Sequence, residues 1–298
     1  MEIEPGSQVL KLKAGRAEAS LFGTPASDFP PIPVVEEEQV FQVDPRMLRS
    51  AIDQVDFAAA REESRPVLTG VNVRLSEGGF TLASADGFRL AVRNGVLEQS
   101  ADEVTVIVPA STMTELGRLL GDNQEPVELM LVPERGQLMF RVHGRDKTEL
   151  VSQILQGTFP NYDQLIPQDY DTRAILELPG ILRSTRTAAI FARDGSNIVR
   201  MQFKANGGEE EAGGKLTISA SSQEVGEFEE ELDVIDLEMK KDEESKIAFN
   251  SRYLVDVLSE LSGSRVTLEI TSPSSPGVFK PTDSDDYVHV VMPMFVQW

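Results

Sequence analysis

Apolar residues in this chain follow two rhythms. In Val9-Leu10-Lys11-Leu12-Lys13 and Leu138-Met139-Phe140-Arg141-Val142 they alternate with polar ones, the period of a strand with one face on a core. Val104-Thr105-Val106-Ile107-Val108 and Ser245-Lys246-Ile247-Ala248-Phe249 also read as strands. Elsewhere the spacing is helical: Met113, Leu116 and Leu120 share one face, as do Leu254, Val257, Leu258 and Leu261. Pro109 suits an early position in the first of these helices, and Asn250 or Ser251 can cap the second. Asp44 followed by Pro45 predicts a helix over 44–60, and a further helix is expected from Leu178 to Arg193.

These elements repeat. Ala14–Pro30 and His143–Pro160 each carry Gly-Arg at the head, a strand-like stretch, and Phe-Pro at the end. The strand and helix beginning at Val104 match those beginning at Ser245, and each helix is followed by a strand pair, VELMLVPERGQLMFRV or VTLEITSPSSPGVFKP. Each full unit reads helix, strands, helix, strands. The expected division is the tail of one unit over 1–38, a complete unit over 39–166 and another over 167–298. The joints fall at Pro30-Pro31-Ile32-Pro33 with Glu36-Glu37-Glu38 and at the turn Ile166-Pro167-Gln168-Asp169. The fold class is α+β, with two helices per unit packed on antiparallel sheets.

Composition narrows the chemistry. Lys and Arg number 28 against 49 Asp and Glu, a formal charge of −21 that opposes a uniformly basic surface for nucleic acid. The chain has no cysteine, which excludes disulfides, thiolate zinc sites and cysteine nucleophiles. No apolar run approaches the roughly 20 residues of a membrane helix, and a cytoplasmic location is expected. His143 and His289 lie in strand-like runs with no metal-ligand spacing, so no metal, cofactor or catalytic residue is nominated. The stretch Gly207–Gly214 carries three glutamates and lacks a following Lys-Ser/Thr, which makes it a mobile hairpin loop rather than a phosphate cradle. Glu229 and Glu231 lie on one solvated strand face, as chance carboxylate pairs do in so acidic a chain.

Charge is also segregated. From Ile181 to Lys204 the chain carries Arg183, Arg186, Arg193, Arg200 and Lys204 against only Asp194. On a helix Arg183, Arg186 and Arg193 fall within roughly 80° of one another, while Leu182 and Ala189 can face a sheet. Arg46 and Arg49 hold comparable positions on the first helix of the preceding unit, while acids collect in loops and strands. Such a stripe can line a cationic surface for a phosphate backbone. Ser84–Val92 contains the tight turn Asp86-Gly87, and the C-terminal Tyr287–Met294 run is rich in methionine, an adaptable apolar surface.

SADGFRLAV, GTFPNYDQLIP and YVHVVMPM, in this order and spacing, resemble the bacterial sliding clamp family, the β subunit of DNA polymerase III. The resemblance spans the whole chain. It implies three-domain subunits joined head to tail in a ring around double-stranded DNA, bound without regard to sequence, with helices inside and sheets outside. It also implies a pocket for short peptides of the replicative polymerase, the clamp loader and repair polymerases. The matching positions are Leu68, Ala85, Gly87, Phe88, Arg89, Leu90, Pro160, Leu165, Val290, Met292, Pro293 and Met294. Arg89 and free backbone groups are expected to hold the polar part of such a peptide. Family dimers close through the first and third domains, and Ile190 and Phe191 mark the third-domain side. The expected chain lacks most of the first domain, so a homodimer ring requires the missing part; the alternative is an adaptor that binds the same peptides without encircling DNA. Two departures stand out: Ala110-Ser111-Thr112 where basic residues are common, and a Phe295-Val296-Gln297-Trp298 tail.

Overall fold

The computed structural model describes residues 2–4, 8–29, 40–62, 64–97, 103–132, 135–144, 147–193, 197–206, 213–240 and 244–298. The expected joint at Pro30–Pro33 and Glu36-Glu37-Glu38 therefore lies outside the described residues, as does Gly207–Ala212 of the glycine-rich loop. The chain divides into two compact units, Met1–Glu37 and Glu38–Trp298.

The small unit is an antiparallel sheet of β1 (Glu2–Glu4), β2 (Val9–Ala14) and β3 (Ala17–Phe22) in that order. Gly15, at φ +61°, supplies the left-handed backbone that turns β2 into β3.

The large unit carries one arrangement twice. Its first half runs β4 (Val40–Val43), α1 (Pro45–Val55), β5 (Gly70–Ser76), β6 (Gly79–Ala85), β7 (Arg89–Val96), β8 (Val104–Pro109), α2 (Ala110–Leu120), β9 (Val127–Val132), β10 (Gln137–Val142) and β11 (Thr148–Gln153). The second half runs β12 (Thr172–Glu177), α3 (Leu178–Ala192), β13 (Ile198–Ala205), β14 (Gly214–Ser222), β15 (Gly226–Val234), β16 (Asp236–Met239), β17 (Glu244–Asn250), α4 (Ser251–Glu260), β18 (Arg265–Ile270), β19 (Gly277–Pro281) and β20 (Tyr287–Val291). Apart from β16, the order of elements is the same. In each half four strands form one sheet on which the helices lie: β7-β6-β5-β8 in the first, β15-β14-β13-β17 in the second. The remaining strands form a second sheet, β11-β10-β9-β4 or β20-β19-β18-β12.

The halves fuse through these sheets. β7 pairs antiparallel with β20, from Arg89↔Val291 to Arg93↔Tyr287, so that a nine-stranded sheet crosses from one half to the other. The core is correspondingly continuous, from Leu48, Ile52 and Leu116 under α1 and α2 to Met201, Phe203, Ile218 and Leu254 under α3 and α4. Local chemistry fixes the helix ends. Asp44 accepts the Met47 N–H at 2.8 Å with Pro45 behind it, and Asn250 accepts the Arg252 N–H at 3.0 Å.

Three details differ from the sequence reading. The first helix ends at Val55, where a short 3-10 turn takes over, rather than at Ala60. Pro109 closes β8 and caps α2 from outside the helix, with an extended ψ of 133°. On α3 the inward stripe is Ile181, Ser184, Thr185, Ala188 and Ala192; Leu182 and Ala189 lie at its margin, because alternating three- and four-residue steps from Ile181 set the buried face.

Candidate functional site

The Asp86-Gly87 turn joins β6 to β7 beside the fused strands. Asp86 Oδ1 accepts the N–H groups of Phe88 and Arg89 at 2.8 and 3.0 Å, and Gly87 takes φ +94°. The turn thereby directs Arg89 inward and Phe88 outward. Arg89 is buried, and its guanidinium donates to Asp86 at 3.0 Å, to Asp256 on α4 at 2.5 Å and to the Phe57 carbonyl at 2.7 Å. It also lies over the rings of Phe57 and Tyr253. Arg89, expected to hold a peptide's polar groups, directs one N–H from each of its three nitrogens to two carboxylates and a carbonyl, and through Asp256 it links the two halves.

On the sheet face away from the helices, Leu90 and Val290 pair across the β7–β20 ladder. They form an apolar cluster with Ala83, Val92, Val278 and Tyr162, against which Ala85, Phe159 and Ile166 pack. Burial raises the Tyr162 phenol above its ordinary value. At the end of the ladder the Met292 N–H donates to the Phe88 carbonyl at 2.8 Å, and the Met294 N–H donates to Ala248 at 2.7 Å. Phe88, Leu165 and Met292 are 61, 54 and 43% exposed, an unusual concentration of bare apolar side chains near one seam. Pro293 is buried and Met294 half-buried. Leu68 is buried beneath the 59–65 segment and lines a cleft with Phe88 and Arg89. Pro160 lines a different cavity of about 480 Å³, with Asn72 and Tyr162.

The basic residues do not form one stripe. Arg183 and Arg186 are exposed on α3, Arg193 at its C-cap, and Arg46 and Arg49 on α1. Arg183 reaches Glu230 at 3.4 Å, Arg186 donates to Ser259 on α4 at 3.1 Å, and Arg49 donates to the Gly121 carbonyl at 2.6 Å. Arg200 and Lys204 belong elsewhere. On β13 Val199, Met201 and Phe203 point into the core beneath α3, so alternation turns Arg200 and Lys204 to the opposite face of the sheet. Nor are the helices free of acid: Asp53, Glu115, Asp256 and Glu260 lie on them, and burial raises the Asp53 and Glu260 carboxyls above their ordinary values. Ile190 is 54% exposed at the end of α3, while Phe191 stacks on Phe228 of β15 at 5.6 Å.

The sequence reading passed over Arg61, Arg65, Arg252 and Tyr253, which line the cleft with Leu68 and Phe88. Their sequence signal is weak, since a loop and a helix start that are far apart in the chain meet only in the fold. Among the described residues no group of three or more His, Asp or Glu side chains is placed to hold a metal, and no helix is long and apolar enough to cross a membrane.

Two αβ repeats with paired helices, fused edge to edge into one sheet, make a DNA-clamp architecture. A crystal structure of the Bacillus subtilis DNA polymerase sliding clamp superposes with a TM-score of 0.85 at 28% identity, covering 98% of this chain and 73% of that one. The Streptococcus pneumoniae DNA polymerase III β chain gives 0.83 at 26% identity, over 99 and 74%. Residues 42–161 match the family model for the DNA polymerase III beta subunit, central domain, and residues 163–295 the one for its C-terminal domain. In sequence the chain is 30% identical to the Bacillus subtilis beta sliding clamp over 297 residues, 99% of this chain and 75% of that protein. It is 29% identical to the Staphylococcus aureus clamp over 283 residues, 95 and 71% of the two chains. The chain belongs to the beta sliding clamp family of non-catalytic processivity subunits.

Proposed function

We propose that this protein confers processivity on a replicative polymerase, holding partner proteins at double-stranded DNA through short peptides that dock at the β7–β20 seam. The observation that carries the reading is convergence: the β6–β7 turn, the end of β20 and the 159–166 segment, far apart in the chain, meet around one cluster containing Leu90 and Val290. Phe88, Leu165 and Met292, from the same three segments, are exposed, and each leucine or phenylalanine anchor buried there would contribute roughly 1.5–3 kcal/mol. Peptides of the replicative polymerase, clamp loader and repair polymerases are the occupants this chemistry suits.

Arg46, Arg49, Arg183, Arg186 and Arg193 are the DNA-facing set in this reading, contacting phosphates without reading bases. The residue spans 1–38, 39–166 and 167–298 then act as the remainder of a first domain and two complete ones, with Ile190 and Phe191 on the side that meets a first domain in a homodimer ring. Fluorescence polarisation with a short peptide carrying leucine and phenylalanine anchors tests the pocket. Saturable binding weakened about tenfold by Met292→Ala is expected; absence of saturation, or indifference to both Met292→Ala and Leu90→Ala, refutes it. Retention on nicked circular but not linear plasmid supports encirclement, whereas equal loss from both leaves an adaptor that binds peptides alone.

A further inference from the structure

All the sulfur in this chain is thioether: it has nine methionines and no cysteine. The fold ranks them. Met113, Met130, Met139 and Met201 lie in the core, at most 1% exposed. Met47, Met239 and Met294 are half-buried, and the Met47 sulfur already accepts the Val96 N–H at 3.3 Å. Met292, 43% exposed, is the one methionine among the described residues whose side chain stands open to solvent. We propose that Met292 is a site of reversible oxidation by hydrogen peroxide, and that its sulfoxide closes the β7–β20 seam to partner peptides. The proposal rests on the peptide-docking reading above and adds to it the regulation of that seam.

Local geometry holds this side chain outward. Met292 follows Val290 by two residues, so strand alternation puts it on the face that carries the apolar cluster, while its neighbours Val291 and Pro293 are buried. The Met292 N–H donates to the Phe88 carbonyl at 2.8 Å and the Met294 N–H to Ala248 at 2.7 Å. The backbone is thus pinned on both sides of Pro293, whose ring fixes its own φ. A modified side chain is therefore kept on the docking face rather than drawn into the core.

The step is an oxygen transfer. A lone pair on Met292 Sδ takes one oxygen of hydrogen peroxide; the S–O bond forms as the O–O bond breaks, and the other oxygen leaves as water after receiving the proton of the first. The thioether is oxidised by two electrons and the peroxide is reduced by two. A dithiol reverses the change, becoming a disulfide as the sulfoxide oxygen leaves as water. The transfer needs access to sulfur from solvent, which the core methionines do not offer. It converts a flexible apolar side chain into a polar one whose oxygen is hydrated. An anchor of leucine or phenylalanine laid over that oxygen removes its water. The N–H groups of Phe88, Arg89 and Met292 at this end of the seam are already bonded, so they do not replace it.

The test treats the folded protein with limiting hydrogen peroxide and maps the added oxygen by tandem mass spectrometry. Binding of a labelled peptide with leucine and phenylalanine anchors is measured before treatment, after it, and after repair by methionine sulfoxide reductases with dithiothreitol. Expected are oxygen at Met292 ahead of every other methionine, about tenfold weaker binding, and recovery on repair, with the thermal melt unchanged. Met292→Leu is the internal control: whatever affinity that variant starts from, peroxide should leave it where it was. Earlier oxidation of Met294 or a core methionine overturns the proposal, as does complete sulfoxide at 292 with undiminished binding. A peroxide-dependent loss that persists in Met292→Leu, or that comes with a lowered melt, overturns it too. Failure of the untreated protein to bind the peptide overturns the docking reading itself, and the oxygen map, read without peptide, distinguishes that failure from an unreactive Met292.

Discussion

Arg89 and His289 show how single side chains tie the two halves together. Arg89 sits on β7 yet holds Asp256 on α4, with Asp86 and the Phe57 carbonyl completing its shell. Removing it leaves two carboxylates at the seam without their cation, so Arg89→Ala is expected to cost about 3 kcal/mol in urea unfolding. Arg89→Lys should recover less than half, because an ammonium cannot span three acceptors in that plane. His289 lies fully buried on β20, stacked on Phe57 at 5.4 Å and 3.2 Å from the Tyr287 hydroxyl. Burial first, and then the Arg89 charge, push its pKa from 6.5 down to about 3. The unfolded chain therefore takes up a proton below about pH 6.5 that the native state refuses until about 3, so this residue's contribution to stability falls as pH falls through that window. The Asp53, Asp56 and Glu260 carboxyls, raised by partial desolvation, work in the opposite sense, favouring the native state as pH falls. The difference between wild type and His289→Phe isolates the histidine: wild type should lose roughly 1 kcal/mol relative to the variant between pH 6.5 and 5.5. A pH-independent difference would show that His289 titrates normally. None of this was legible from the residues alone. The residues show His289 only as a histidine in a strand-like run and Arg89 only as a side chain after a tight turn, since burial and partners are set by elements far away in the chain.

At the scale of elements, the hairpins and helices with strong periodicity were legible, including β2–β3, β9–β10, α2 and α4. The four-residue β16 was not, because Asp236–Met239 carries no alternation long enough to distinguish a strand from a loop. The register between β7 and β20 was equally hidden: each is a sound strand locally, and only their complementary apolar faces specify the pairing. The repeat also explains the contrast between β7 and its equivalent β15. β7 is interior to the nine-stranded sheet, while β15 is an edge of its own sheet and reads Gly-Glu-Phe-Glu-Glu-Glu-Leu-Asp-Val. Glu227, Glu229, Glu231 and Asp233 are exposed along it, a row of like charges that discourages unprogrammed strand addition. Glu229→Val/Glu231→Val should raise self-association, seen as a larger concentration-dependent shift in light scattering than wild type gives. No shift would mean that the edge is guarded by something other than its carboxylates.

For the whole molecule, the charge distribution decides how an acidic protein can meet DNA. The simple division into basic helices and acidic strands did not survive folding: the four helices carry six arginines and four acids, and Arg200 and Lys204 stand on the sheet face opposite α3. Segment-level counting could not see this, because a summed charge over Ile181–Lys204 ignores the turn from helix to strand and the alternation that follows. What remains is a sharper contrast between two faces of one half. If the helix face meets the phosphate backbone, Arg183→Glu/Arg186→Glu should weaken duplex binding and flatten its salt dependence, changing the slope of log K against log salt by roughly 2 as two phosphate contacts are lost. Arg200→Glu/Lys204→Glu makes the same change in net charge on the other face and should leave the slope unaltered. Equal effects from the two pairs would mean that only the overall charge is felt, and no effect from either would remove α3 from the DNA-facing surface. Because both variants shift the total charge from −21 by the same amount, the comparison reads position rather than charge.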